Sequence, residues 1–234
     1  MAVKRTYEDG CAAAHALDLV GDRWALLIVR DLLLGPKRFT ALRAGLPAIS
    51  PNVLTQRLND LESALVLRRR RLPPPASAWA YELTDWGREL EPVVLQLAHW
   101  GVRSPAFLRG APLGVDALML SFKSMFMPGR AQGRELSIEL RFEHDVFAVT
   151  LSNGALQVER GAPPQPQAKV ATDTQALLQL AYGKAPLEPF IESGRLHFTG
   201  QRQAIQAFLD LFALPALADE ADRVASAATT TQSH

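Results

Sequence analysis

Between Ile49 and Leu65 (ISPNVLTQRLNDLESAL) amide, hydroxyl and guanidinium side chains recur at helical spacing: Asn52, Thr55, Gln56 and Asn59, with Arg57 on the flank. Amides and arginine are the side chains that make paired hydrogen bonds to base edges in a major groove. Cations gather around this stretch. From Lys37 to Arg71 there are eight Lys+Arg, including Lys37, Arg38 and the run Arg68, Arg69, Arg70 and Arg71, against two acids, Asp60 and Glu62. A basic patch beside an amide-faced helix is the electrostatic footprint of nucleic-acid binding, although a solvated basic face has the same composition. Other chemistry is thinner. The five histidines, His15, His99, His144, His197 and His234, have no metal-ligand spacing and no cysteine partners, so no metal is expected. No Ser/His/Asp or paired-carboxylate constellation stands out, so neither an enzyme activity nor a cofactor is expected. Gly129-Arg-Ala-Gln-Gly133 lacks the Lys-Ser/Thr of a phosphate loop and reads as a turn.

These side chains need a helix to hold them, and the sequence supplies its signals. Ser50 is placed to N-cap it and Pro51 occupies the first helical position, where its missing N–H is harmless. Leu54, Leu58, Leu61 and Leu65 fall on one apolar stripe. Upstream, Cys11 to Val20 reads as a short helix ended by Gly21. Asp22 is expected to cap a helix from Arg23 to Leu34, and Thr40 a short helix from Ala41 to Ala44. A short helix, a tight turn and an amphipathic helix in this order make a helix-turn-helix unit. Downstream, Val66–Leu72 and Trp79–Leu83 flank a Pro-rich turn, which predicts a two-stranded wing. Thr84 is then expected to cap a long helix from Asp85 to Arg103, with Leu90, Val93, Val94, Leu97 and Trp100 on its apolar side.

The run from Cys11 through His15-Ala-Leu-Asp-Leu-Val-Gly-Asp-Arg-Trp24, then Gly35, Arg38-Phe39, Ile49-Ser-Pro51, Leu54, Arg57-Leu58, Leu61-Glu62 and Tyr81-Glu-Leu-Thr84 with Gly87 and Leu90 resembles the HxlR family. These are bacterial winged-helix transcription regulators related to the MarR type. The resemblance implies a cytoplasmic homodimer paired through its first helix and the helix of residues 85–103. It also implies recognition helices in adjacent major grooves and wings on flanking backbone or minor groove. The implied DNA-binding set is Lys37, Arg38, Ser50, Asn52, Thr55, Gln56, Arg57, Asn59 and Arg68 to Arg71. Three positions depart from the family pattern: Ala12 stands for Pro, Leu65 for a Gly at the helix end, and Ala78 for a wing Arg. Some relatives use a cysteine at the Cys11 position as an oxidation sensor. The sequence leaves two readings, that one and a structural cysteine near the dimer seam. Acidic Asp18 and Asp22 would raise its pKa; Lys4 and Arg5 would lower it.

After Pro105–Gly114, a segment rich in Pro and Gly, the pattern changes. An apolar helix is expected at Leu118–Met127. Strands follow at Ser137–Phe142, Val146–Leu151 and Ala155–Arg160, with Asn153-Gly154 a strong hairpin signal. Beyond them lie a strand at Lys169–Thr172, a helix capped by Asp173 or Thr174, a strand at Arg195–Thr199 and a last helix at Gln203–Phe212. Through Thr172-Asp173, Leu177, Leu180, Gly183, Ile191, Gly194-Arg-Leu196, Phe198, Gly200, Ala204, Phe208 and Phe212 this half is similar to sterol-carrier proteins. That resemblance implies a curved antiparallel sheet with helices over one face and an apolar tunnel between. Met119, Phe122, Met125, Phe126, Leu180, Phe190 and Phe198 would line the pocket, with plain core packing as the alternative for the Met/Phe cluster.

The expected fold is thus α+β: a winged helix-turn-helix domain at 1–104, a linker at 105–114, a sterol-carrier-like domain at 115–215 and a flexible tail at 216–234. The net charge of +1 conceals 15 Lys+Arg against 11 Asp+Glu in residues 1–110, and 10 against 13 beyond them. No apolar run reaches the ~18 residues of a membrane span, and no secretory signal opens the chain. A single cysteine fits a reducing cytoplasm. The expected partners are double-stranded DNA, a second copy of the chain and an apolar ligand. The competing expectation is a lipid carrier whose winged helix makes protein contacts.

Overall fold

A computed structural model describes residues 6–73 and 77–219. Most of the expected tail, and Lys4 and Arg5, lie outside the described residues. The chain divides into two compact units, Met1–Val94 and Leu95–His234.

The first unit contains α1 (Ala12–Val20), α2 (Ala25–Leu32), α3 (Phe39–Gly45), α4 (Pro51–Ser63), β1 (Leu67–Arg71), β2 (Trp79–Leu83) and α5 (Asp85–Arg88); α6 (Glu91–Gly101) carries the chain onward. Ile28, Val29 and Leu32 of α2, Leu42 of α3, and Leu54, Leu58 and Leu61 of α4 are buried together with Leu67 and Leu83 at the root of the wing. Four expectations need correction. Trp24 adopts a left-handed backbone (φ 82°), so α2 starts at Ala25 and Asp22 does not cap it. The N-cap of α3 is Arg38, which places Thr40 inside the helix. The long helix from Asp85 breaks at Glu89–Leu90 into α5 and α6. Pro92, which has no N–H and whose ring crowds the carbonyl four residues back, accounts for the break. The fourth is Leu65, which is 71% exposed and not part of the buried stripe.

Leu65 leaves the stripe because α4 has already ended. The Val66 N–H donates to the Leu61 carbonyl (2.9 Å) and the Leu65 N–H to the Glu62 carbonyl (3.0 Å). With Leu65 at φ 59° this is a Schellman stop, the conformation normally given to glycine. Thr84 secures the next step. Its hydroxyl donates to the Leu65 carbonyl (2.7 Å) and accepts from the Gly87 N–H (2.9 Å), so one side chain ties the end of α4 to the start of α5.

The second unit contains α7 (Val115–Ser124), β3 (Leu136–Arg141), β4 (Val146–Ser152), β5 (Ala155–Arg160), β6 (Ala168–Thr172), α8 (Thr174–Ala181), α9 (Glu188–Glu192), β7 (Leu196–Gly200) and α10 (Arg202–Asp210). Residues 105–114 hold no helix or strand. The sheet runs in the order β5-β4-β3-β6-β7, and β3 and β6 are parallel, which corrects the all-antiparallel expectation. The hairpin at Asn153-Gly154 has both residues at positive φ, as a tight two-residue turn requires. Asp173 caps α8, accepting from the Ala176 N–H (2.7 Å). Phe122 of α7 and Phe208 of α10 meet edge-on, with ring centres 5.3 Å apart, and Phe212 closes the same cluster.

Candidate DNA-binding surface

On α4 the sequence does what its caps dictate. Ser50 accepts from the Val53 N–H (3.3 Å), and Asn52, Thr55, Gln56 and Asn59 are exposed. The Thr55 hydroxyl donates back to the Pro51 carbonyl (2.9 Å). Arg57 is turned to another task. Its Nη1 donates to Asp22 Oδ2 and to Asp60 Oδ2, each at 2.5 Å. Because Asp22 is not used as a cap, its carboxylate is free to fasten α4 to the turn that precedes α2.

The ribbon is pinned at its root on two sides. Lys37 and Tyr81 exchange backbone hydrogen bonds (2.9 and 2.8 Å), which sets the segment before α3 against β2. The Lys37 side chain is half-buried and Arg38 is exposed; both have further polar contacts. On β1 the arginines divide by face. Arg68 Nε and Arg70 Nη1 each donate to one oxygen of Glu82 (2.8 Å both), a carboxylate only 5% exposed. Arg69 reaches back to the recognition helix, donating to Asn59 Oδ1 (2.8 Å) and pairing with Glu62 (3.2 Å), while its guanidinium lies 5.4 Å from the Tyr81 ring centre. Helix and wing therefore form one continuous surface, joined through Asn59 and Arg69. Glu82, Glu62 and Asp22 were absent from the sequence-derived set. Glu82 was recoverable once the ribbon register was known, because it lies opposite Arg68.

Cys11 is exposed and is the N-cap residue of α1. The backbone N–H groups of Ala14 and Ala13 hold its thiol pKa below the ordinary value. Asp18, expected to oppose this, instead accepts from the Tyr7 N–H (3.0 Å).

In the second unit, Met119, Phe122, Met125, Leu180 and Phe190 are buried, and Phe126 and Phe198 are half-buried. They line neither of two cavities there, of about 710 and 370 Å³. The larger opens where β3 and β6 end, and its walls combine Val115, Phe142 and Ala171 with Arg141, His144, Asp173, Arg195 and His197. Arg195 grips Asp173 through two hydrogen bonds of 2.9 Å, which hold that carboxyl below the usual range. Among the described residues, no cluster of His, Cys, Asp and Glu could hold a metal, and no helix is long and apolar enough to cross a membrane.

A capped helix with an amide face, a preceding short helix and an arginine ribbon fastened to both define a winged helix-turn-helix domain, an architecture of DNA-binding proteins. Comparison with known proteins supplies the rest. The profile of the HxlR-like helix-turn-helix family matches residues 19–105. YybR of Bacillus subtilis, an uncharacterized HTH-type transcriptional regulator, is 35% identical over 97 residues, covering 40% of this chain and 75% of YybR. YvaP of the same organism, also an uncharacterized HTH-type transcriptional regulator, is 38% identical over 95 residues, covering 40% of this chain and 88% of YvaP. A structure of the redox regulator HypR in its oxidized form aligns with a TM-score of 0.39 and 32% identity, over 42% of this chain and all of that one. On the sequence relatives, the chain belongs to the HxlR-like helix-turn-helix family. Residues 125–218 match a different profile, that of the alkyl sulfatase C-terminal domain, which does not name a sterol-carrier domain.

Proposed function

We propose that this chain is a homodimeric, sequence-specific DNA-binding repressor acting in the cytoplasm, with its reading head in residues 1–104. The observation that carries the reading is the joined surface of α4 and the wing. In it Asn52, Thr55 and Gln56 face outward for base edges, while Lys37, Arg38 and the wing arginines supply phosphate contacts. Asn59 takes part through Arg69 and Arg57 through Asp22, so both position the reading helix. Dimerisation is supported by apolar side chains that a single chain leaves uncovered: Leu17 on α1, and Val93, Leu97 and Trp100 on α6.

Selection of genomic fragments by the purified protein tests the reading, followed by titration of the selected duplex against a scrambled one. Gln56→Ala is expected to weaken the selected duplex by about 1–3 kcal/mol and to leave the scrambled duplex unchanged. An unchanged ratio removes Gln56 from base reading. A dimer with no preferred fragment favours the carrier alternative instead.

For residues 115–215 the proposal is a sterol-carrier-like domain binding an apolar ligand, supported by a five-stranded sheet and by the burial of Met119, Phe122 and Leu180. Control of DNA binding requires the ligand to prefer one dimer geometry, since equal affinity for both shifts nothing. Native mass spectrometry of the protein as purified reports dimerisation and any retained lipid together. Cys11 is proposed as an oxidation-sensitive thiol on the strength of its exposure and its place at a helix N-terminus.

A further inference from the structure

The cavity of about 710 Å³ lies at one end of the five-stranded sheet, and strand register sets its floor. Arg141 of β3, Ala171 of β6 and His197 of β7 stand in one row across three neighbouring strands, on one face. Two strand spacings, about 10 Å, separate Arg141 from His197, and only a methyl group stands between them. Arg195, two residues before His197, reaches the same cavity, as does the exposed His144 beyond β3. Acceptors and donors there are unevenly used. Asp173 is taken up by two hydrogen bonds from Arg195 and Asp145 by one from Arg160, while Glu143 has His144 beside it at 3.6 Å. Donors are left over. His197 makes no hydrogen bond or ion pair among the described residues, and Arg141 uses only Nη2, on Glu139 (2.6 Å).

We propose that this cavity binds an organic monocarboxylate, its carboxylate held over Ala171 by N–H groups of His197 and Arg141 and its apolar part lying against Val115 and Phe142. The proposal deepens the ligand reading of residues 115–215 by naming a head group and its place, and it is independent of DNA binding. The left-over donors select the head group, because N–H groups of arginine and imidazole make their strongest hydrogen bonds to an ionised acceptor. The rim limits its charge. A phosphate dianion would meet Glu143, Asp145 and Asp173 at close quarters, whereas a single negative charge meets the unused donors first. The size and lining select the rest of the molecule. Small-molecule sites run from about 300 to 1,000 Å³ and combine an apolar wall with a few convergent polar groups. Met119, Phe122 and Leu180 line neither cavity and are left to the core.

The test uses the full chain at neutral pH, with octanoate and the uncharged 1-octanol as probes followed by ligand-observed NMR. The parent is expected to bind octanoate more tightly than 1-octanol. His197→Ala is expected to weaken octanoate about tenfold, the size of a hydrogen bond to a charged group, and to leave 1-octanol unchanged. Ala171→Leu fills the floor without changing charge and should weaken octanoate at least as much. Lys169→Gln removes a cation from the same face, outside the cavity, and should bind octanoate as the parent does. His197 and Lys169 are exposed, so the thermal midpoints of those two variants should stay that of the parent. An equal loss in Lys169→Gln and His197→Ala overturns the proposal, because the attraction would then be general to the face. Octanoate and 1-octanol bound alike, with His197→Ala without effect, overturns it too, but leaves the apolar-ligand reading standing with its site elsewhere in the unit. No binding of either probe at millimolar concentration removes both.

Discussion

Replacing Leu65 with glycine is expected to stabilise the first unit. The leucine sits at φ 59° in the left-handed position that ends α4, with both backbone hydrogen bonds of the Schellman stop in place. A left-handed residue with a Cβ costs roughly 1–2 kcal/mol. Glycine removes that strain but frees the unfolded chain by about 0.4–1 kcal/mol. The difference leaves about 0.5–1 kcal/mol in favour of glycine. Loss of the side chain itself subtracts little, since most of it is in solvent. Leu65→Ala separates the two effects: it deletes the leucine but keeps the strain. The expected order of stability is therefore glycine above alanine, with alanine near the parent. Denaturant unfolding of the full chain, followed by tryptophan fluorescence, gives the comparison. In heat the gain corresponds to roughly 2–8 °C for a unit of this size. A glycine variant no more stable than the alanine variant would refute the reasoning, because the backbone would then carry no strain to relieve.

Gly87→Ala should cost about 3 kcal/mol or more: a Cβ there would lie 1.9 Å from the Val66 carbonyl oxygen, which Thr84 holds from both its N–H and its hydroxyl. A melting point within two degrees or so of the parent would contradict that packing. Glu82→Gln should release Arg68 and Arg70 from their shared carboxylate, tightening binding to scrambled duplex and steepening the salt slope by about one; an unchanged slope would mean that the wing arginines do not face phosphate. Cys11 should alkylate with iodoacetamide along a pH profile displaced to lower pH than that of N-acetylcysteine, because the Ala14 and Ala13 N–H groups favour the thiolate. Coincident profiles would remove the basis for treating it as a reactive thiol.

Features set by neighbours along the chain were readable from the sequence. Ser50-Pro51 starts α4, Asn153-Gly154 turns a hairpin and Asp173 caps α8, each through contacts within about four residues. The features missed depend on distant partners or on one backbone angle. No local pattern announces that Trp24 turns left-handed, yet that single angle shortens α2 and releases Asp22. Arg57 looked like a flank of the reading face because Asp22 is 35 residues away. The four wing arginines looked equivalent because their difference lies in register, which a Pro-rich turn does not specify from sequence. For Met119, Phe122 and Met125 the sequence left pocket wall and core packing open, because an inward-facing apolar side chain serves either; all three are buried.

The left-handed angles at Trp24 and Leu65 bear on the same element. Trp24 frees Asp22 to hold Arg57 near the middle of α4, and Leu65 turns the chain so that the carbonyls just beyond its end meet Thr84. The reading helix is thus anchored along its length and at its exit by contacts its own sequence does not contain. Its exposed residues can therefore be varied to change the DNA sequence read without loosening the helix, whereas changes at Asp22, Thr84 or Gly87 should weaken every DNA sequence alike. Asp22→Asn against Gln56→Ala, compared on selected and scrambled duplexes, separates these cases: a loss confined to the selected duplex for Asp22→Asn would place Arg57 back among the base-reading residues.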